Sequence, residues 1–187
     1  TSNGINCIDY KTKKITRFYP KSINKECTTN IINRLLKHSD GNVYAFCNRS
    51  VFKCSMNQTV ETVFPDIAIP SPTYSVAQAP DKDIYIGTES NGLYIYSENW
   101  KLKKHVPIDV IIATILPDNN GDIWLGLDET GICLFNKNKQ TFTWLHKDNT
   151  NLNNNSIRTF VSYGDSSILL GTFRGLNILN KKELTIT

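Results

Sequence analysis

The chain has 187 residues, 40% of them hydrophobic and 20% charged, with a formal net charge of +4. That is enough apolar material for a large core, and no apolar run approaches the ~20 residues that a membrane-spanning helix needs. The positive balance comes from lysines dispersed over turns and strand edges (Lys11, Lys13, Lys14; Lys101, Lys103, Lys104; Lys137, Lys139; Lys181, Lys182). A nucleic-acid footprint would instead gather arginine and aromatics on one surface, so no nucleic-acid partner is expected.

Taken in chain order, the first residues, Thr1-Ser2-Asn3-Gly4-Ile5, align with Thr88–Leu93, a turn that leads into a third strand. The chain is therefore expected to begin within a repeat unit, with two strands, Ile5–Tyr10 and Ile15–Tyr19. Full copies follow. Val43-Tyr44-Ala45-Phe46, Ile84-Tyr85-Ile86-Gly87, Ile123-Trp124-Leu125-Gly126 and Ile168-Leu169-Leu170-Gly171 recur at a period of about 40–45 residues. A polar turn precedes each block, and a second apolar strand follows it after another turn (Ser50–Phe52, Gly92–Tyr96, Gly131–Phe135, Gly175–Leu179).

The best-formed copy, DNNGDIWLGLDETGICLFN at 118–136, opens on Asn120-Gly121, which predicts a two-residue type I′ hairpin with φ > 0 at both central positions. Asp118, Asn120 and Asp122 also have the one-three-five spacing of a calcium loop. The other copies keep the turn without those oxygens, which favours the hairpin, and no metal is expected. Each unit reads as four strands: in this copy Ile111–Leu116 innermost, Ile123–Gly126, Ile132–Phe135 and Thr141–Leu145 outermost. The outer strands elsewhere are Thr59–Phe64 and Leu102–Val106. In the first full copy, Ala45-Phe46-Cys47-Asn48-Arg49-Ser50 replaces the expected Gly-Thr and closing Gly, so that turn must take another geometry.

Short strands with a period of two and almost no helical periodicity make an all-β chain. The expected fold is a β-propeller fragment of four four-stranded antiparallel blades plus a partial N-terminal blade. The partial blade covers 1–27, and the blades cover about 28–69, 70–109, 110–150 and 151–187. Because the partial blade lacks its inner pair, an open arc with exposed apolar faces is expected, stabilised by the remaining propeller blades or by a second copy of the chain.

Five cysteines (Cys7, Cys27, Cys47, Cys54, Cys133) follow no metal spacing, and most read as small apolar core residues. His38, His105 and His146 have no repeating Asp or Ser partner and read as surface residues. Asp128 and Glu129 are adjacent in a turn, unlike the facing pair that general acid and base work needs. No catalytic residue and no cofactor are expected. Trp124 shares its position with Tyr44, Tyr85 and Leu169 and reads as a filler between blades. Trp100 and Trp144, placed on outer strands, read as partly exposed, available for sugar stacking or a domain contact.

The pattern Asp-x-x-Gly-x-Ile-Trp-(Leu/Ile)-Gly, a short gap, then Gly-(Leu/Ile) resembles the two-component regulator propeller repeats of the periplasmic sensor regions of Bacteroides-type hybrid two-component histidine kinases. It stands here as DNNGDIWLGLDETGI, DKDIYIGTESNGL and GDSSILLGTFRGL, and NTNLNNNSIRTF looks like the Ser/Asn-rich approach to a blade in that family. The resemblance implies a periplasmic ligand-sensing segment that responds to oligosaccharides, regulates polysaccharide use, makes no direct membrane contact and has no kinase activity of its own. A structural interaction propeller and a propeller-type carbohydrate-active enzyme are the alternatives. In a propeller the turns between second and third strands gather on one face. The expected ligand contacts are therefore Arg49, Glu89, Asn91, Asp128, Glu129, Phe173 and Arg174, with Arg158 at the start of an innermost strand. Arginine forks suit carboxylate or sulfate, and Asn and Glu suit hydroxyls.

Overall fold

A computed structural model describes residues 3–19, 30–48, 50–55, 60–63, 69 and 71–187. The chain divides into two compact units, Thr1–Thr73 and Tyr74–Thr187. Among the described residues, seventeen strands form five antiparallel sheets, in each of which sequence neighbours are also spatial neighbours. Among the described residues no helix is long and apolar enough to cross a membrane.

In the first unit, β1 (Ile5–Ile8) pairs with β2 (Ile15–Phe18), and β3 (Arg34–Lys37), β4 (Val43–Cys47), β5 (Ser50–Cys54) and β6 (Val60–Val63) form a four-stranded sheet. Phe46 stands where the repeat has glycine and is fully buried. Cys47 pairs directly with Ser50, so the altered turn closes in two residues, with Asn48 taking the positive φ of 52°. Gly4 also has positive φ, and its backbone N–H donates to Asn30 at 2.8 Å.

The second unit contains β7 (Thr73–Gln78), β8 (Ile84–Thr88), β9 (Leu93–Tyr96) and β10 (Leu102–Val106); then β11 (Ile112–Pro117), β12 (Asp122–Leu127), β13 (Gly131–Asn136) and β14 (Thr141–Leu145); then β15 (Ile157–Tyr163), β16 (Ser167–Thr172) and β17 (Gly175–Asn180). The outer strands β10 and β14 have the bounds read from the sequence. The final sheet departs from expectation, with three strands instead of four. Its outer edge carries only a bridge from Leu179 to Ile186, supported by reciprocal backbone bonds between Ile178 and Thr187 at 2.7 and 3.0 Å.

Two apolar seams hold these three sheets face to face. Tyr85, Leu93 and Ile95 of β8–β9 pack with Ile112, Ile123, Leu125 and Phe135 of the next sheet. Trp124 and Ile132 of that sheet pack in turn with Ile157, Phe160, Ile168, Leu170 and Leu179. The repeat's glycine serves these seams. A Cβ on Gly87 would lie 2.7 Å from the Ile112 Cβ, and one on Gly126 would lie 2.6 Å from the Ile157 Cγ2. Only a residue without a side chain admits an isoleucine from the next sheet's inner strand at that distance.

The turn at 118–122 differs from the type I′ expectation. Gly121 has a positive φ of 88°, whereas Asn120 is not among the positive-φ residues, and the Gly121 N–H donates to the Asp118 carbonyl at 3.2 Å. This is a type I turn followed by one left-handed residue, the three-residue hairpin connection. The same device closes β3–β4, where the Gly41 N–H donates to His38 O at 3.0 Å, and β7–β8, where the Lys82 N–H donates to Ala79 O at 2.8 Å. Glycine is dispensable there, because Lys82 adopts a φ of 70°. The calcium-spaced oxygens are otherwise engaged: Asp118 pairs with Lys181 at 2.9 Å, and Asp122 accepts from Asn120 at 2.8 Å.

Two surface readings are corrected. His38 is buried, its ring edge-on to Tyr44 at 5.0 Å. Trp100 is also buried, because it occupies the left-handed position of the β9–β10 turn (φ 61°) and not the outer strand itself. Trp144 remains 40% exposed. Cys47 and Cys133 are buried, and Cys7 and Cys54 are half-buried; burial pushes the Cys133 thiol up to about 12. Cys27 lies outside the described residues.

Two turn carboxylates make stability depend on acid. Burial alone would raise Asp81, but hydrogen bonds from Lys137 and from the Asp83 N–H outweigh it and hold the carboxyl below its ordinary value. Asp40 is likewise lowered, against burial, by the Asn42 N–H at 2.9 Å and the Tyr44 hydroxyl at 2.8 Å. A folded-state pKa below the unfolded one means the stabilisation is complete above the unfolded value, about 3.9, and is lost as pH falls through the folded value. Urea midpoints are therefore expected to decline below about pH 4. Asp40→Asn with Asp81→Asn should flatten that decline, which a pH series of urea titrations followed by circular dichroism would read.

Candidate functional site

The turns joining second to third strands are built to hold position. At β12–β13, Leu127 faces Gly131 across three turn residues, and Glu129 takes a positive φ of 60°. The Asp128 N–H donates to Ile111 O at 3.0 Å, the Gly131 N–H to Asn155 O at 2.7 Å, and the Glu129 N–H to the Ser156 hydroxyl at 3.2 Å. At β16–β17 the Thr172 hydroxyl accepts from the Arg174 N–H at 3.1 Å and donates to the Asn153 side chain at 2.8 Å. The segment that leads into β15 therefore anchors both turns, through Asn155 and Ser156 at the first and Asn153 at the second.

That anchoring brings three of the expected contact residues together. The Arg158 guanidinium, at the start of β15, donates to Asp128 Oδ1 at 3.2 Å and lies 3.7 Å above the Phe173 ring centroid. Arg158 and Asp128 are partly exposed (35% and 22% of their side chains), and Phe173 is 67% exposed. The Arg158 Nε is buried without a hydrogen-bond partner among the described residues. An ion pair capped by an exposed aromatic ring combines charge recognition with a stacking surface.

Glu129 and Arg174 line a cleft of about 340 Å³ on the same side, together with Lys147 and the segment Asn153–Ser156. Much of that segment's polarity is spent internally. Asn155 Oδ1 accepts from the Lys147 N–H at 2.8 Å, Asn154 Oδ1 from the Ser156 N–H at 2.8 Å, and the Asn153 amide donates to Arg174 O at 3.2 Å. The asparagines thus tie one sheet's turn to the next sheet's approach, leaving Lys147, Arg174 and Glu129 as the cleft's charged groups.

The remaining expected contacts fall elsewhere. Asn91 belongs to the β8–β9 turn, where its backbone N–H donates to Thr88 Oγ1 at 3.0 Å, its side chain accepts from the Tyr94 hydroxyl, and its carbonyl meets His105 Nε2 at 2.6 Å. Glu89 is exposed in the same turn. Neither lines the cleft. Arg49 lies outside the described residues. Sequence reading missed Lys147 and Asn153–Ser156; the Asn-rich run before β15 was visible, but nothing in its spacing says which asparagines face a cleft.

At the other ends of these strands a larger cleft, about 610 Å³, is lined by Asp118, Asn119, Asn120 and Ser166 together with Lys181 and Lys182. Its Asp118 carboxylate is already neutralised by Lys181, and it offers no aromatic surface. Asp83 lies at the same ends and is buried. Both of its oxygens accept from Lys103, at 2.8 and 2.7 Å, and it also pairs with Lys137 from the next sheet. Burial beside these charges pushes the Tyr85 phenol up to about 12. These contacts join neighbouring sheets and leave the cleft between β12–β13 and β16–β17 as the place where unspent polar groups and an aromatic converge.

No family model and no curated protein matches the chain. Solved structures do. The extracellular domain of a hybrid two-component system from B. thetaiotaomicron matches with a TM-score of 0.73 and 25% identity over 98% of this chain and 25% of that one. A second such domain from that bacterium has a TM-score of 0.77 at 19% identity, covering 95% of this chain and 24% of its own. The chain resembles a two-component ectodomain. It spans about a quarter of the length of those domains. A virginiamycin B lyase from Staphylococcus aureus also matches, with a TM-score of 0.72 and 18% identity over 100% of this chain and 62% of that one, so the same strand arrangement also serves an enzyme. Fold alone therefore does not assign a role.

Proposed function

We propose that this chain is an extracytoplasmic, periplasmic ligand-sensing segment of a hybrid two-component sensor, four propeller blades and a partial one, and that it responds to an oligosaccharide. The observation that carries the reading is the convergence of Arg158, Asp128 and Phe173 beside the cleft of Glu129, Lys147 and Arg174. Three cations beside two carboxylates favour a ligand that bears both acidic groups and hydroxyls, with the exposed Phe173 ring to stack on a sugar face. The same side chains favour binding over chemistry, since none of the three histidines lines the cleft. The likeness to two-component ectodomains supports the sensing role, and regulation of polysaccharide use follows as the output of such a sensor.

Calorimetric titration of the chain with an oligogalacturonide and with a neutral oligosaccharide of equal length tests this. The acidic sugar is expected to bind, and Arg158→Ala and Arg174→Ala are each expected to weaken it about tenfold or more, the loss of a charge-assisted hydrogen bond of about 1.5–3 kcal/mol. Unchanged affinity in both variants would reject the cleft. Absence of binding by either sugar would favour a structural interaction role.

A further inference from the structure

We propose that the outer face of the β15–β17 sheet is a docking surface for one more blade of this same repeat. The two filled seams show what such a face looks like when covered. Tyr85, Leu93 and Ile95 are buried under the β11–β14 sheet, and Trp124 and Ile132, with Leu116 and Leu134 packed against them, lie under the β15–β17 sheet. Strand pairing places Leu169, Leu176, Ile178 and Val161 at the corresponding positions of the last sheet: Val161 faces Leu169 as Leu116 faces Trp124, and Leu169 faces Ile178 as Trp124 faces Leu134. There Val161 is 55% exposed, Leu176 63% and Ile178 38%, with Tyr163 beside them at 58%. A contiguous apolar face of this kind marks an interaction site.

The glycines identify the occupant. Gly87 receives Ile112 from the following sheet's inner strand and Gly126 receives Ile157, whereas a Cβ at Gly171 would meet only Thr159 of its own sheet. Gly171 is thus the same slot without its isoleucine. An inner strand carrying that isoleucine, followed by an apolar second strand, fits both the slot and the face. A lipid or an irregular peptide would match the apolarity but not the sheet spacing that the two filled seams share.

The register also says how to supply the blade. Ile186 pairs with Leu179 as Phe142 pairs with Phe135, so Thr187 stands in the register of Thr143. A second copy of residues 144–187 appended directly after Thr187 therefore continues the outer strand and adds a blade in phase. A copy of residues 105–148 does the same with a different blade, since Lys104 faces Ile95 as Thr143 faces Leu134. The chain and both extended forms would be compared by carbene footprinting. In at least one extended form, labelling of the original Val161, Tyr163 and Leu176 is expected to fall severalfold relative to the chain itself. Leu176→Asp in that form should restore the labelling. Equal labelling in the chain and both extended forms would overturn the proposal. So would protection already present in the unextended chain at micromolar concentration and lost on dilution, which would assign the face to a second copy.

Discussion

Replacing Trp124 by alanine is expected to destabilise the second unit by about 3–5 kcal/mol, a large share of the ~5–15 kcal/mol that a folded domain holds in reserve. Trp124 is 1% exposed and fills the seam between the β11–β14 and β15–β17 sheets, among Ile132, Leu145, Phe160 and Ile168. Its indole N–H has no hydrogen-bond partner among the described residues, so truncation loses no polar contact seen there and leaves a cavity that two rigid sheets cannot collapse to fill. Urea unfolding followed by far-ultraviolet circular dichroism would read the effect. A loss below about 1 kcal/mol would show that the seam is not tightly packed.

Asp83→Ala is expected to cost about 3 kcal/mol, for a different reason. The carboxylate is 6% exposed and holds Lys103 within its own sheet and Lys137 from the next, while the two lysines are 47% and 25% exposed. Removing it strands two cations at a seam, with Asp81 left to hold Lys137. A double-mutant cycle with Lys137→Met should show a coupling of about 1–3 kcal/mol, and strict additivity would mean the inter-sheet pair is decorative.

Much of the fold was legible because the repeat combines two strong signals, period-two apolar strands and turns at fixed offsets. The bounds of β10 and β14 came directly from them. What the repeat hid was the reason for its own glycine: Gly87 and Gly126 read in sequence only as part of a short apolar strand, yet they are slots for a neighbour's isoleucine, a relation between residues of different copies. Trp100 and His38 were misplaced because each belongs to a turn whose left-handed or hydrogen-bonded geometry folds the side chain inward, and alternation says nothing about turns. The last sheet read as four-stranded because Glu183–Thr187 reads as its closing segment, while that segment forms a single bridge.

The site was legible in part. Reading the second-to-third-strand turns as one face singled out Asp128 and Phe173, and Arg158, at the start of β15, touches both. Asn91 fails as a free contact because Tyr94 and His105 claim it, and such local competition leaves no trace in spacing. The asparagines before β15 carry the opposite lesson. Their hydrogen bonds are mostly structural, and their abundance marks a joint between sheets more than a binding surface.

The most direct measurement is a backbone amide chemical-shift map of the chain titrated with the oligogalacturonide. Saturable perturbations confined to Asp128–Thr130, Lys147, Asn153–Arg158 and Phe173–Arg174, and absent with the neutral sugar, are the predicted result. Perturbations centred on Asp118–Asn120 and Lys181–Lys182, or none at all up to millimolar ligand, would contradict the account.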